Sequence, residues 1–279
     1  MNKSLRQLRY ITIDNDESVG RQLFNLSYLI NILKIKNSKH IKIKIVFNKD
    51  NKLYYDTLFK GLFNILDDEK YRGINFETLD ATGTADTIDI TKNIKVINES
   101  MDKLYTFKNI DDYLRTKLIE LVYSNEDLMY AAYYKYRDIL NYFGNNTIDD
   151  DVAVMHIMKD CDTDYYNDAL SLMNCAYKIT NIAVVTDDIN WAKIVLDNIN
   201  REGDYSFYYI TSDEKYSYEI NFILMSMFKN YIITDKKNCA ADSLWASYIS
   251  YYDNKNMKII VSSSISEIHN IHKYITDII

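Results

Sequence analysis

Val152-Ala153-Val154-Met155-His156-Ile157 and, after a polar stretch, Ile182-Ala183-Val184-Val185-Thr186-Asp187-Asp188 decide how this chain is read. Each apolar run is short, nearly continuous and rich in β-branched residues, as in a strand covered on both faces. Between them, Tyr165 to Ile179 carries a helical pattern. The alternation continues with strands at Phe207 to Ile210, Tyr231 to Ile233 and Ile259 to Val261. Helices fall near Ile189 to Ile199, Tyr218 to Lys229 and Ser243 to Ser250. Alternating strands and helices predict an α/β fold with a mostly parallel sheet.

The first half repeats the architecture less clearly. Tyr10 to Ile13 and Ile41 to Phe47 read as strands, the latter with strict alternation at its start. Weaker strands fall near Ile74 to Phe76 and Ile94 to Ile97. Helices are expected from about Gly20 to Lys34, over Tyr54 to Leu66, Ile110 to Tyr123 and Leu128 to Phe143. The acidic segment Gly144 to Asp151 reads as a linker. The expected division is therefore residues 1–148, residues 149–263 and a last helix over 264–279. That helix opens on a capping box, Ser264 to Glu267, carries Ile268, Ile271, Ile275 and Ile278 on one face, and is expected to pack back on the first domain.

Composition narrows the function classes. At 279 residues, two domains of about 140 are the better prior. A chain 47% hydrophobic and 26% charged has the balance of a soluble globular protein. It has no proline and 6 glycines, where average usage gives roughly 14 and 20. This skew, with 26 tyrosines, follows AT-rich codons and suits a large DNA virus or an AT-rich bacterium. The net charge of −7 argues against a nucleic-acid partner. No apolar stretch reaches the roughly 18 residues of a membrane span, and with the polar start Met1-Asn2-Lys3-Ser4 no signal peptide is expected. Three cysteines without a C-x-x-C suit a reducing compartment, so a cytoplasmic location is expected.

Familiar ligand motifs can be excluded by inspection. Gly20, Gly61, Gly73, Gly83, Gly144 and Gly203 build neither G-x-G-x-x-G nor a P-loop. His269 and His272 stand one turn apart without the partners of a zinc site. Asp160, Asp162 and Asp164 begin like a calcium loop, but Tyr165 takes the turn glycine's place and Ser171 that of the bidentate glutamate. No metal or other cofactor is expected.

Four polar clusters each follow a strand: Asp14 to Gln22, His156 to Asp160, Thr186 to Trp191, and Thr234 to Trp245. Taken singly, each has a plainer reading: a turn, a buried histidine satisfied by hydrogen bonds, an aspartate helix cap, a polar loop. In doubly wound sheets, however, ligands bind beyond the carboxyl ends of the strands. A cation, a histidine, hydroxyls and helix starts gathered there are what an anionic nucleotide diphosphate requires.

In order and spacing these segments resemble the inverting alpha-1,2-fucosyltransferases of glycosyltransferase family eleven over nearly the whole chain. The family's G-G-x-G-N-Q-L-F is echoed by Glu17 to Phe24, its H-x-R-R-G-D-Y by His156 to Asp162, and its S-D-D-I-E-W by Thr186-Asp187-Asp188-Ile189-Asn190-Trp191. Its D-L-Y-L-M-S-L-C helix and serine-rich loop are similar to Glu219 to Phe228 and Asp242 to Tyr248, and Tyr54 to Phe59 resembles a Y-W-D-T-x-F segment. The resemblance implies two Rossmann-like domains facing a cleft in the GT-B manner, a nucleotide-sugar donor with GDP-fucose favoured, a glycan acceptor and no metal. Position by position, it implies that His156 and Lys159 face the diphosphate, Asp187 and Asp188 lie by the nucleoside, and Ser243 and Trp245 belong to the phosphate loop. Gly20, Arg21 and Gln22 are expected to bind the donor from the N-terminal side, with Arg21 reaching toward the phosphates.

Two departures fall on the chemistry. The family's arginine pair is Met158 and Lys159 here, so a point charge replaces a bidentate fork. One charged hydrogen bond lost costs about 1.5–3 kcal/mol. Arg21 stands where the family has asparagine. Catalytic candidates are therefore His156, Lys159 and Asp162, the last as base on the acceptor hydroxyl. The plainer reading of the acidic run is a solvated loop with Asp164 capping the next helix. A protein of this fold that binds a glycan, a nucleotide or a protein without turnover is the alternative, favoured by Met158 and Glu17.

Overall fold

The apolar runs of the second half become the strands of one parallel sheet. A computed structural model describes residues 7–13, 18–24, 27, 41–47, 57–59, 75–76, 112–144, 148–159, 161–200, 204–210, 216–235, 240–251, 257–262 and 277–278. The chain divides into two compact units, Met1–Tyr105 with Asn109–Ser124, and Thr106–Lys108 with Asn125–Ile279.

In the first unit, β1 (Gln7–Ile13), β2 (Ile41–Phe47) and β3 (Asn75–Phe76) pair in parallel in that order, with Ile11 opposite Ile45. Residues 19–24 are helical. The Ser18 hydroxyl caps them by accepting the Arg21 N–H at 3.3 Å. Val19, Leu23 and Phe24 are buried. Helix α1 (Asp112–Val122) buries Leu118, Leu121 and Val122. The expected strand near Ile94 to Ile97 lies outside the described residues, as does most of the expected helix over Tyr54 to Leu66.

The second unit begins with α2 (Glu126–Phe143), capped by Asn125 through the Leu128 N–H at 3.3 Å. It ends on Gly144, whose φ of 135° belongs to glycine's range. Then follow β4 (Val152–His156), α3 (Thr163–Tyr177), β5 (Asn181–Val185), α4 (Ile189–Ile199), β6 (Ser206–Ile210), α5 (Ser217–Met225), β7 (Asn230–Ile232), α6 (Ala240–Tyr251), β8 (Lys258–Val261) and β9 (Asp277–Ile278). Among the described residues the sheet order is β6-β5-β4-β7-β8-β9, every pair parallel. The chain builds outward from β4 in one direction, then returns to the other side of β4 at β7. That is the doubly wound order of nucleotide-binding α/β folds.

Side-chain alternation assigns the two faces. Ala153, Met155, Ile182, Val184, Ile232 and Ile260 share a core with Tyr166, Leu170 and Met173 of α3 and Ala192 and Leu196 of α4. Burying each large apolar side chain contributes roughly 1.5–3 kcal/mol before entropy is subtracted. The opposite face carries α2, α5 and α6. The Tyr231 hydroxyl donates to the Met225 carbonyl at 2.7 Å and approaches the Ala246 carbonyl at 3.4 Å. Tyr136 of α2 packs edge-on against Phe228, centroids 5.2 Å apart. All five residues of β4 are buried, whereas β6 at the sheet edge is largely half-exposed.

Three expectations about organisation are corrected. The division falls after Ser124 rather than at residue 148, because Leu128, Ala132, Tyr136 and Ile139 turn one face of α2 onto the second unit. The expected linker is tied to that unit too. Asp150 accepts from the Lys229 ammonium at 3.0 Å, and the Asn230 side chain donates to the Asp150 and Val152 carbonyls. Of the helix expected over 264–279, Asp277 and Ile278 instead form β9, which pairs with β8 of the second sheet. Residues 263–276 lie outside the described residues.

Candidate functional site

The sheet order fixes one place where loops from β4 and β7 part in opposite directions, and polar groups collect there. His156 ends β4 opposite Val185, on the face that looks toward α6. It is buried, with Nδ1 3.4 Å from the Ser243 hydroxyl in the first turn of α6. Ser243 is buried as well, and its hydroxyl donates to the Ala240 carbonyl at 3.3 Å. With the serine proton so engaged, an Nδ1–H tautomer completes the pair. Burial pushes His156 down to about 4, against the opposing pull of Asp187. The imidazole is therefore a neutral hydrogen-bonding group near pH 7, not a cation.

Lys159 supplies the positive charge. Its backbone N–H donates to Asp187 Oδ1 at 3.3 Å, and its ammonium stands 3.8 Å from Asp188 Oδ2. More than half of the lysine side chain is exposed (58%), so the pair contributes little stability, and the ammonium is free to turn to a ligand. Asp188 is the N-cap of α4, accepting the Trp191 N–H at 3.0 Å, while its own N–H donates to the Thr186 hydroxyl at 3.2 Å. Asp187 stays exposed at the same edge.

Asp162 has a different task from the expected one. Its Oδ1 accepts the Asp164 N–H at 3.0 Å and the Tyr165 N–H at 3.5 Å, so the carboxylate caps α3. The cap is Asp162, where the plainer reading placed Asp164. An anion already occupies the helix end that would otherwise receive a phosphate. The Asp162 N–H in turn donates to Asp235 Oδ2 at 2.9 Å. Asp160 lies outside the described residues, as do Glu17, Lys236 and Lys237.

Tyrosines of α3 brace the loops. The Tyr166 hydroxyl donates to the His156 carbonyl at 2.9 Å and meets the Thr234 hydroxyl at 3.1 Å, while the Tyr165 hydroxyl donates to the Ile233 carbonyl at 2.7 Å. Burial raises both phenols above their ordinary range, so they remain protonated donors. These contacts fix the end of β7 beside β4. Neither tyrosine nor Asp235 is singled out by sequence spacing. The available signal is Thr234-Asp235, which follows an apolar strand just as Thr186-Asp187 does.

The structure thus brings His156, Lys159, Asp187, Asp188 and Ser243 to one sheet edge, with Asp162 and Asp235 beside them. Trp245 is not among them. It is fully buried, edge-on to Tyr248 with centroids 5.5 Å apart, and acts there as a core residue of α6. Gly20, Arg21 and Gln22 sit on the first unit's helix, with Gly20 and Gln22 buried and Arg21 half-buried. Among the described residues, no group of three or more histidines, cysteines or carboxylates is arranged to hold a metal ion, and no helix is long and apolar enough to cross a membrane.

The chain matches no family model and no curated protein. Among solved structures it is similar to POFUT1 in complex with GDP, at 6% identity over 92% of this chain and 98% of that one, TM-score 0.42. The E. coli heptosyltransferase WaaC with ADP is 9% identical over 91% and 86%, TM-score 0.37. The E. coli ADP-heptose LPS heptosyltransferase II is 8% identical over 98% and 90%, TM-score 0.40.

Proposed function

We propose that the protein is an inverting glycosyltransferase that moves fucose or a related deoxyhexose from a nucleotide-sugar, GDP-fucose favoured, to a glycan hydroxyl. The observation that carries the reading is the meeting of His156, Ser243, Lys159, Asp187 and Asp188 at the crossover of a doubly wound sheet. In this reading the acceptor oxygen attacks the anomeric carbon opposite the diphosphate. The new carbon–oxygen bond forms as the sugar–phosphate bond breaks, and a carboxylate takes the hydroxyl proton.

Negative charge then grows on the leaving phosphate. The Lys159 ammonium and neutral donors, the His156–Ser243 pair and the start of α6, stabilise it. Asp187 serves the nucleoside hydroxyls, the usual task of an acid after the second strand of such a sheet. No metal takes part.

A thermal-shift panel of nucleoside diphosphates tests this. Ligand at 100 times its dissociation constant adds about 2.7 kcal/mol, or roughly 5–10 °C for a chain of this size. Stabilisation by GDP that is lost in Lys159→Ala supports the reading, and no response to any nucleotide refutes it. The second reading, a binding protein without turnover, is favoured by charge. Among the described residues joined by these contacts, Lys159 is the one cation against Asp162, Asp187, Asp188 and Asp235. GDP binding with neither hydrolysis nor transfer of any donor would select it.

A further inference from the structure

Strand β6 ends one side of the second sheet: among the described residues it pairs only with β5, in unbroken register from Ser206 to Ile210. The Ser206 N–H donates to the Thr180 carbonyl at 2.9 Å, so Ser206, Tyr208 and Ile210 turn their main-chain groups toward β5. By alternation Phe207 and Tyr209 turn theirs outward, where no strand of the described residues meets them. An open edge is a template for another strand, and proteins usually guard it with a charge, a proline or a bulge. β6 has none of these. Tyr205 to Ile210 reads Tyr-Ser-Phe-Tyr-Tyr-Ile, and its register with β5 leaves no residue over. Both faces of the edge are aromatic. Tyr208 meets the exposed Tyr142 of α2 edge-on, with centroids 5.2 Å apart. Tyr205, Phe207 and Tyr209 form a row on the α3 and α4 side, 6.2 and 6.3 Å from ring to ring. Charge stays on the flanking helices, with Asp138 of α2 near Tyr208, and Lys193 and Asp197 of α4 near Tyr209. An apolar centre with a polar rim is the usual build of an interface.

We propose that β6 is the contact through which two copies of this chain pair, antiparallel and about a two-fold axis at Tyr208. That axis sets Phe207 opposite Tyr209 of the second copy, and each such pair exchanges both of its N–H···O bonds. The two pairs use every outward main-chain group of Phe207 and Tyr209 and join the two sheets into one. A self-complementary patch closed by a two-fold is the commonest arrangement of soluble oligomers. An unrelated extended peptide would match the main chain alone. The second copy also sets Tyr208 beside its own counterpart on the α2 face and Phe207 beside Tyr209 on the other. These aromatic cross-strand pairs select this chain as its own partner.

Sedimentation equilibrium of the full chain at tens of micromolar should give the mass of two chains. Tyr208→Lys, which sets two ammonium groups opposite each other, should give the mass of one at the same concentration. Two further readouts do not depend on how that variant folds. In wild type, the Phe207 and Tyr209 amides should lose hydrogen-exchange protection on dilution, while the Tyr208 amide, bonded to β5, keeps its own. Tyr208→Cys should cross-link to its copy on mild oxidation, because directly opposed residues of a non-hydrogen-bonded pair have Cα atoms about 4.5 Å apart, within reach of a disulfide. Wild type, with the chain's own cysteines, should not cross-link. A wild type that stays a single chain throughout this range overturns the proposal. So does a dimer that Tyr208→Lys, shown folded by its melting curve, leaves intact. A dimer whose Phe207 and Tyr209 amides exchange alike at every concentration, or in which Tyr208→Cys does not cross-link, overturns it as well.

Discussion

Acid should weaken this protein through His156 in a way that one substitution isolates. The imidazole is lowered from 6.5 to about 4 because it is buried. Between those values the unfolded chain takes up a proton that the folded chain refuses, so stability falls as pH falls and is fully present above about 6.5. Each pKa unit is worth about 1.4 kcal/mol, which sets the whole effect near 3 kcal/mol, with about 2 kcal/mol already lost on going from about pH 7.5 to about pH 5. Other carboxylates titrate in the same range, so the quantity to measure is a difference.

Urea unfolding of wild type and His156→Gln at both pH values gives it. At about pH 7.5 the variant should be the weaker by about 1 kcal/mol, the value of the hydrogen bond to Ser243. By about pH 5 the order should reverse, because glutamine does not titrate and loses only what the shared carboxylates lose. Parallel pH dependences in the two proteins would refute the argument, since they would mean that the folded state accepts the proton as readily as the unfolded chain.

Other expectations follow from single contacts. Lys178 ends α3 in a left-handed conformation, φ 61°, with its N–H on the Asn174 carbonyl and that of Ile179 on the Met173 carbonyl. Lys178→Gly should therefore stabilise by about 1 kcal/mol, read as a rise in urea midpoint. Asp162→Ala should cost about 1 kcal/mol through the lost cap while Asp162→Asn, an equally good cap, costs little. An Asn variant as unstable as the Ala variant would count against that role. Trp245→Ala should cost about 3–5 kcal/mol by emptying a core position, seen by calorimetry in the absence of ligand. Chelation with EDTA should leave any nucleotide-induced rise in melting temperature unchanged.

The parts of the fold legible in sequence are those where burial alone dictates residue type. Strands β4, β5, β7 and β8 lie inside a sheet covered on both faces, so nearly every position is apolar and their bounds fall within a residue or two of the expected ones. Strand order is legible only in part, since the alternation implies a parallel sheet but not the return to the far side of β4. Contacts divide the chain after Ser124, whereas composition marks Gly144 and Asp149 to Asp151 as a linker, because the contact of α2 with Phe228 spans many residues and leaves no local signature. Likewise the isoleucine spacing near the C-terminus fits a helix locally, yet its last residues, Asp277 and Ile278, pair with β8, a long-range contact that local periodicity does not carry.

The same distinction governs the site. That His156, Asp187 and Ser243 come to one edge is legible because His156 ends β4, Asp187 lies in the turn after β5 and Ser243 opens the helix that follows β7 in the same parallel sheet. What each does there depends on contacts that spacing does not carry. Asp162 and Asp235 are both acidic loop residues beyond a strand, and the sequence singles out only the former. In the folded chain the α3 backbone claims the Asp162 carboxylate, while Asp235 accepts the Asp162 N–H and so ties the loop after β7 to the loop after β4. What each polar group does at this edge is thus set by the partner the fold gives it, and spacing along the chain does not record that partner.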